Sequence, residues 1–254
     1  VAGEVVEVGA NVAGFSVGDW VFARLDSASG GASAELAAVG ERAAAKIPAG
    51  LSVIDAAAIP LAALTALQGL RDLGHLGADQ RVLVVGASGG VGHYAVQIAK
   101  ALGAHVTAVC SGKNIEMVQD LGADAVIDYT TETIFDAREP FDVILDLVVK
   151  EPYSRFKSIL SGDGVYVATL PTPGLLARMV LMPLYSRRRA HFVMVKPSGD
   201  DLEELAELSR EGKLRTVIDS VYPLAELRSA HERSESHRVV GKVVVEICPD
   251  CVPA

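Results

Sequence analysis

The stretch RVLVVGASGGVGHYAVQIAKALGAHVTAVCSGKN, residues 81–114, sets the architecture of the chain. It opens with RVLVVGA (81–87), an uninterrupted apolar run of the kind that a strand buried on both faces requires. Val91, Ala95, Ile98, Ala99 and Leu102 follow at i, i+4, i+7, i+8 and i+11, one stripe of a helix, and Gly103 stands where a C-cap belongs. HVTAVC (105–110) reads as the next strand. Between strand and helix, Gly86, Gly89 and Gly92 form a GxxGxxG turn. Glycines there let the backbone turn tightly, approach a pyrophosphate closely and pack helix against strand, while the amides of the helix start face the phosphate charge. In this strand–turn–helix–strand setting the turn reads as a dinucleotide site.

The same rhythm continues outward. Helix NIEMVQDL closes on Gly122, strands AVIDY and FDVILDLV follow, then helix PYSRFKSIL and strand GVYVATL. Positions 171–190 interrupt it with the apolar, proline-containing PTPGLLARMVLMPLYSRRR, which reads either as core or as a lid over an apolar pocket. Strand HFVMVK and helix DDLEELAELSREG, capped by Ser198, resume the pattern; VIDSVYP, LAELRSAHERSE and GKVVVEI complete it. Right-handed crossovers make such a succession an α/β fold, a doubly wound parallel Rossmann sheet. Upstream, GEVVEVG, a turn at Gly18-Asp19, WVFA and AELAAV read instead as β structure. The chain opens inside the first of these strands, as a fragment would.

Charge and cysteines narrow the function. Against 32 Asp and Glu there are 23 Lys and Arg, a net charge of −9 that disfavours nucleic acid or an anionic membrane as the general partner. The one cationic cluster, Arg187 to Arg189, reads as a solvated loop or as a contact to an anion. Cys110, Cys248 and Cys251 cannot make a disulfide framework; Cys248-Pro-Asp-Cys251 is half a zinc site at most and precedes no helix. No signal-peptide pattern opens the chain and no apolar run is expected to reach membrane-spanning length, so cytoplasm is the expected location. The histidines at 75, 105, 191, 231 and 237 have no nucleophile or acid at a suitable spacing and are not assigned to catalysis.

At the end of the second strand, Val109-Cys110, an NAD site expects an acid to accept from the adenosine ribose. Ser111-Gly112-Lys113-Asn114 stands there instead. A hydroxyl and an ammonium suit a phosphate on that ribose, so NADPH is expected over NADH, unless Lys113 is only a solvated helix-start residue.

GEVVEVG, VGDWVF, IPLAALTAL, the 81–111 stretch, LGADAVIDY, FDVILD and GKVVVEI, in this order up to about position 247, resemble the zinc-independent quinone-oxidoreductase-like and enone-reductase-like branch of the medium-chain dehydrogenase/reductase superfamily. The resemblance implies a partial GroES-like β domain over 1–64, a Rossmann NADP-binding domain over 65–215 and a return to the GroES-like domain over 216–254. It implies a missing N-terminal part of the β domain, and with it half the substrate pocket. It places the pyrophosphate turn at Ser88, Gly89, Gly90, Val91 and Gly92, the adenosine phosphate at Ser111, Lys113 and Tyr129, and the nicotinamide near Leu147, Thr169 and Thr65. His93, where a smaller residue is usual, is expected to face solvent. No metal is expected: a catalytic cysteine of the zinc-dependent branch matches Leu61, and the structural zinc lobe would fall on ARLDSASGG (23–31), which has no cysteine. The implied reaction is hydride transfer from NADPH to a quinone or α,β-unsaturated carbonyl already activated by conjugation, with no proton donor assigned. The alternatives are a non-catalytic NADP(H)-binding sensor or interaction protein on the same fold, and an inactive fragment. A homodimer is expected, with HFVMVK as the candidate edge.

Overall fold

Val82, Leu83 and Val84 are completely buried, as the apolar run demands, in strand β4 (Arg81–Val85). The computed structural model describes residues 1–25 and 31–248, so Cys251 and most of the 23–31 stretch lie outside the described residues. Two compact units result: Thr65–Val195, and Val1–Leu64 together with Lys196–Ala254.

In the unit Thr65–Val195, β4 pairs on one side with β5 (His105–Cys110), which pairs with β6 (Ala125–Asp128). On its other side lie β7 (Phe141–Asp146), β8 (Leu160–Ala168) and β9 (Arg189–Phe192). Every pairing is parallel and the order is β6-β5-β4-β7-β8-β9. Connections leave β4 and β7 toward opposite edges, which opens a crevice at their carboxyl ends, the place where such sheets bind ligands. Helix α2 (Gly92–Ala101) joins β4 to β5 and stops where Gly103, at φ +83°, lets its amide return to Lys100 O at 2.9 Å. Helix α3 (Ile115–Asp120) follows β5 and ends before Gly122, at φ +103°. A core of Phe141, Ile144, Tyr153, Phe156, Tyr166 and Leu175 lies on the β7–β8 side of the sheet. Each large side chain there contributes about 2 kcal/mol by leaving water.

Three elements of this unit depart from expectation. The helix read over PYSRFKSIL shortens to α4 (Tyr153–Phe156), because Phe141 N–H takes Ile159 O at 2.8 Å and draws the chain into β8. Strand HFVMVK begins earlier, at Arg189, and ends at Phe192, opposite the last residue of β8, Ala168. The 171–190 segment forms α5 (Pro173–Leu181), its N-terminus capped by the Thr172 hydroxyl. Leu175 and Met182 are core, while Leu176, Val180, Leu181, Leu184 and Tyr185 face outward. Arg188 is a brace rather than a solvated residue, donating to Leu160 O and Ser161 O, each at 2.8 Å.

The other unit holds a three-stranded antiparallel sheet, β1 (Ala2–Glu4), β2 (Trp20–Ala23) and β3 (Ala44–Lys46), and a parallel pair, β10 (Ile218–Pro223) with β11 (Lys242–Glu246). AELAAV is not a strand; its alanines lack the branched bulk that strands pack with, and the segment is exposed. Helix α6 (Gly199–Arg210) is capped by Ser198, whose hydroxyl accepts from Asp201 N–H at 3.1 Å. It belongs to this unit, so the chain returns at Lys196 rather than at 216; Gly199 packs so tightly that a Cβ would lie 2.6 Å from Ala44 O. Helix α7 (Leu227–Glu235) is fastened to β10 by Arg233, which donates to Asp219 at 2.6 and 2.8 Å and holds that carboxyl down at about 2.

Helix α1 (Val53–Leu67) continues through a wide turn, Gln68–Leu73, to make 21 residues that include an apolar window of mean hydropathy 1.6. This corrects the expectation that no apolar run reaches membrane-spanning length. By length and composition the helix could cross a bilayer, but 72 % of its apolar window is buried inside the protein, as in a core helix.

Candidate cofactor site

The glycine turn is built so that side chains cannot enter it. Gly86 adopts φ +88°, and a Cβ there would sit 2.8 Å from Val148 Cγ2. A Cβ on Gly92 would lie 2.1 Å from Gly86 O and 2.7 Å from Ala87 Cα. Gly86 and Ala87 both donate to Val109 O, at 3.1 and 2.9 Å, which ties the turn to the end of β5. No side chain caps α2, whose N-cap is Val91. The amides of a helix's first turn point out of its N-terminus, so this one presents donors and positive dipole charge, a cradle fit for a pyrophosphate. His93 does not face solvent: it is completely buried, its Nδ1 3.0 Å from Gly89 O and its ring 3.8 Å from that of Tyr94. A small residue's place is taken here by a ring that props the turn from inside.

Beyond β5 the backbone stays extended through Ser111 and makes a one-turn helix, Gly112–Asn114. Asn114 Nδ2 donates to Ser88 Oγ at 3.0 Å and to Ser111 Oγ at 3.3 Å, so a single amide joins the glycine turn to this second turn. Lys113 is exposed beside them. Tyr129, 62 % exposed, follows β6 and donates its N–H to Cys110 O at 3.1 Å. Asp128 closes the turn from behind. Its carboxylate accepts from Thr130 N–H at 2.9 Å, from the Thr130 hydroxyl at 2.7 Å and from Gly112 N–H, and these bonds hold its pKa below the usual carboxylate range. A Cβ on Gly112 would fall 2.5 Å from Asp128 Oδ2. Burial, and then the Asp128 charge, push the Cys110 thiol up, so it stays protonated at neutral pH.

On the other side of the crevice Leu147 donates its N–H to Val85 O at 3.1 Å, and Thr169 N–H donates to Asp146 O at 3.2 Å. Both therefore sit at carboxyl ends of adjacent strands. Asp146, 1 % exposed, accepts from Val148 N–H and Val149 N–H on Oδ1, at 3.0 and 2.8 Å, and from Tyr166 Oη on Oδ2 at 2.7 Å. Tyr166 and Val149 also line an adjoining cavity of about 280 Å³ with Tyr153, Thr172 and Leu175.

The structure thus gathers Gly86, Ser88, Ser111 and Leu147 around the carboxyl ends of β4, β5 and β7, with Lys113 in the turn after β5, Tyr129 just past β6 and Thr169 at the end of β8. Gly89, Gly90 and Val91 carry the turn into α2. Thr65 is buried, in the last turn of α1. Asn114 and Asp128 are the residues that sequence reasoning missed. Asn114 stood in the quoted SGKN, but nothing in the chain's pattern links it to a serine 26 positions earlier. Among the described residues no three His, Cys, Asp or Glu side chains are grouped to hold a metal ion.

A family model described as a zinc-binding dehydrogenase matches residues 121–245. A chloroplast envelope quinone oxidoreductase homolog from Arabidopsis thaliana is 40 % identical over 256 residues, covering 97 % of this chain and 78 % of that protein. The chain belongs to the medium-chain dehydrogenase/reductase superfamily, in its quinone-oxidoreductase-like branch. It is accordingly an oxidoreductase. This oxidoreductase is also 35 % identical to the mitochondrial NAD(P)H oxidoreductase RTN4IP1 of Danio rerio over 276 residues, 98 % of this chain and 71 % of that one. The quinone oxidoreductase from Coxiella burnetii superposes on it with a TM-score of 0.82 at 28 % identity, over 97 % of this chain and 78 % of that structure.

Proposed function

We propose that the protein binds NADPH and transfers hydride to a quinone or an α,β-unsaturated carbonyl without zinc. The observation that carries the cofactor choice is the end of β5. Where an acid would repel a ribose phosphate, Ser111 stands with its hydroxyl beside that of Ser88, and Lys113 supplies a positive charge. Asp128, on the following strand, is ionised and hydrogen-bonded to Thr130 and Gly112, and the charge of Lys113 stands against it. The relatives named for NAD(P)H and for quinones support a nicotinamide cofactor and a conjugated acceptor for this chain.

Bound here, a nicotinamide cofactor would supply the hydride chemistry, and the protein binds and orients it. The turn Ser88–Gly92 and the α2 N-terminus take the pyrophosphate; Ser111, Lys113 and Tyr129 take the adenosine phosphate; Leu147, Thr169 and Thr65 flank the nicotinamide. The zinc-free reading rests on Leu61, which offers no lone pair where a cysteine would ligate. Acceptors activated by conjugation suit it, since no Lewis acid is then needed.

Calorimetric affinities for NADPH and NADH test the cofactor choice, and equal values overturn it. Steady-state NADPH oxidation with quinones and enones, insensitive to chelators, tests the reaction; cofactor binding without turnover on any acceptor favours a binding protein instead. The edge position of β9 supports a homodimer, and elution as a monomer in size-exclusion chromatography removes that part of the proposal.

A further inference from the structure

Ser88 and Ser111 lie on two different turns, yet the same side-chain nitrogen touches both hydroxyls, at 3.0 and 3.3 Å. An amide NH2 has two protons and no acceptor capacity, so each hydroxyl oxygen accepts from it. A hydroxyl that accepts on the inner side keeps its single proton for an acceptor elsewhere. Asn114 is itself held: its backbone N–H donates to Ser111 O at 2.8 Å, and Gly112, two residues before it, is anchored from behind by Asp128. The amide is therefore part of a fixed loop, with three polar side chains meeting at one nitrogen.

We infer that Asn114 is a positioning residue of the dinucleotide site, one that turns the protons of Ser88 and Ser111 toward phosphate oxygens and locks the pyrophosphate turn to the adenosine-phosphate turn. The inference deepens the NADPH reading and rests on it. The chemistry requires an amide at this position. An aspartate would be acceptor-only, would draw both hydroxyl protons inward and would add a negative charge. An alanine would leave the hydroxyls free to rotate, so that each must be ordered by the ligand itself.

The test is a set of double-mutant cycles on the whole chain, with dissociation constants for NADPH, NADH and 2′,5′-ADP and a thermal melt for each variant. Asn114→Ala should weaken NADPH about tenfold, and Asn114→Asp about a hundredfold. In a Ser111→Ala background the effect of Asn114→Ala on 2′,5′-ADP should shrink below about twofold, because the partner through which it acts is gone. Ser88→Ala should absorb the remaining effect on NADH. Should Asn114→Ala fail to fold, Asn114→Ser enters the same cycles. Losses that stay additive in both serine backgrounds overturn the inference, as does Asn114→Asp binding NADPH as tightly as Asn114→Ala. Failure of the parent reading shows elsewhere: wild-type protein with equal affinities for NADPH and NADH. That result overturns the Ser111 half of the inference, while the Ser88 cycle with NADH still decides the other half.

Discussion

The chain turns sharply at the carboxyl ends of two neighbouring strands, β4 and β7, and solves the same problem in opposite ways. After β4 it uses glycine: Gly86 enters the left-handed region at no steric cost, and the turn leads directly into the N-terminus of α2. After β7 it uses an ordinary β-branched residue, Val149, at φ +54°, held there by a buried carboxylate that takes its N–H and that of Val148. The first turn ties Gly86, Ala87 and Gly89 to backbone carbonyls and turns the N-terminus of α2 toward a ligand. The second spends its amides on Asp146, and Asp146 in turn takes the Tyr166 hydroxyl. Two adjacent turns at one crevice thus divide the work, one as binding surface and one as scaffold against which Gly86 packs.

The comparison breaks most severely if the scaffold is removed. Asp146→Ala would strand the buried Tyr166 hydroxyl and two half-buried amides, at a cost of about 2–3 kcal/mol in a urea or guanidinium titration; a loss under 1 kcal/mol would show that water replaces the carboxylate and that the turn is not pinned by it. Gly92→Ala strikes the binding turn instead. Its Cβ has only backbone atoms to displace, at 2.1 and 2.7 Å, so NADPH affinity should fall roughly a hundredfold by fluorescence titration.

Tyr166→Phe sharpens the contrast with pH. Burial, and then the Asp146 charge and hydrogen bond, raise the phenol's pKa well above its ordinary range, so the folded protein keeps a proton that the unfolded chain releases. That stability is fully present at neutral pH and falls as pH rises above about 10. The variant should lose about 1 kcal/mol at neutral pH and should show a shallower alkaline decline in melting temperature. An unchanged alkaline limb would place its origin in other groups. The smallest effect belongs to Val149→Gly. Relief of about 1 kcal/mol of left-handed strain is offset by the entropy glycine loses on folding, and the melting temperature should hardly move. A large drop would mean that Val149 packing, not Asp146, holds the turn.

Legibility followed the same division. The glycine turn could be read directly, because its requirement is local: a tight turn between an apolar run and an amphipathic stripe admits only glycine at Gly86 and Gly92. The β–α alternation of the central region was legible for the same reason, since periodicity records which faces are buried. PYSRFKSIL satisfies a local helical pattern that pairing with β7 overrides, and AELAAV satisfies an alternation that its small alanines do not turn into a packed strand. His93 misled because position on a first helical turn does not say which way the ring points.

By itself the sequence determined a parallel α/β sheet, a glycine turn at its first strand, and a second strand ending on Ser111 rather than on an acid. Those are properties of consecutive residues. Only the tertiary structure decided that Asn114 reaches Ser88, that Asp128 backs Gly112, and that Tyr166 meets Asp146 across 20 residues of chain. Hydrogen-bond partners are chosen by proximity in space. In a sheet of parallel crossovers, proximity is set by strand order, which no single segment contains.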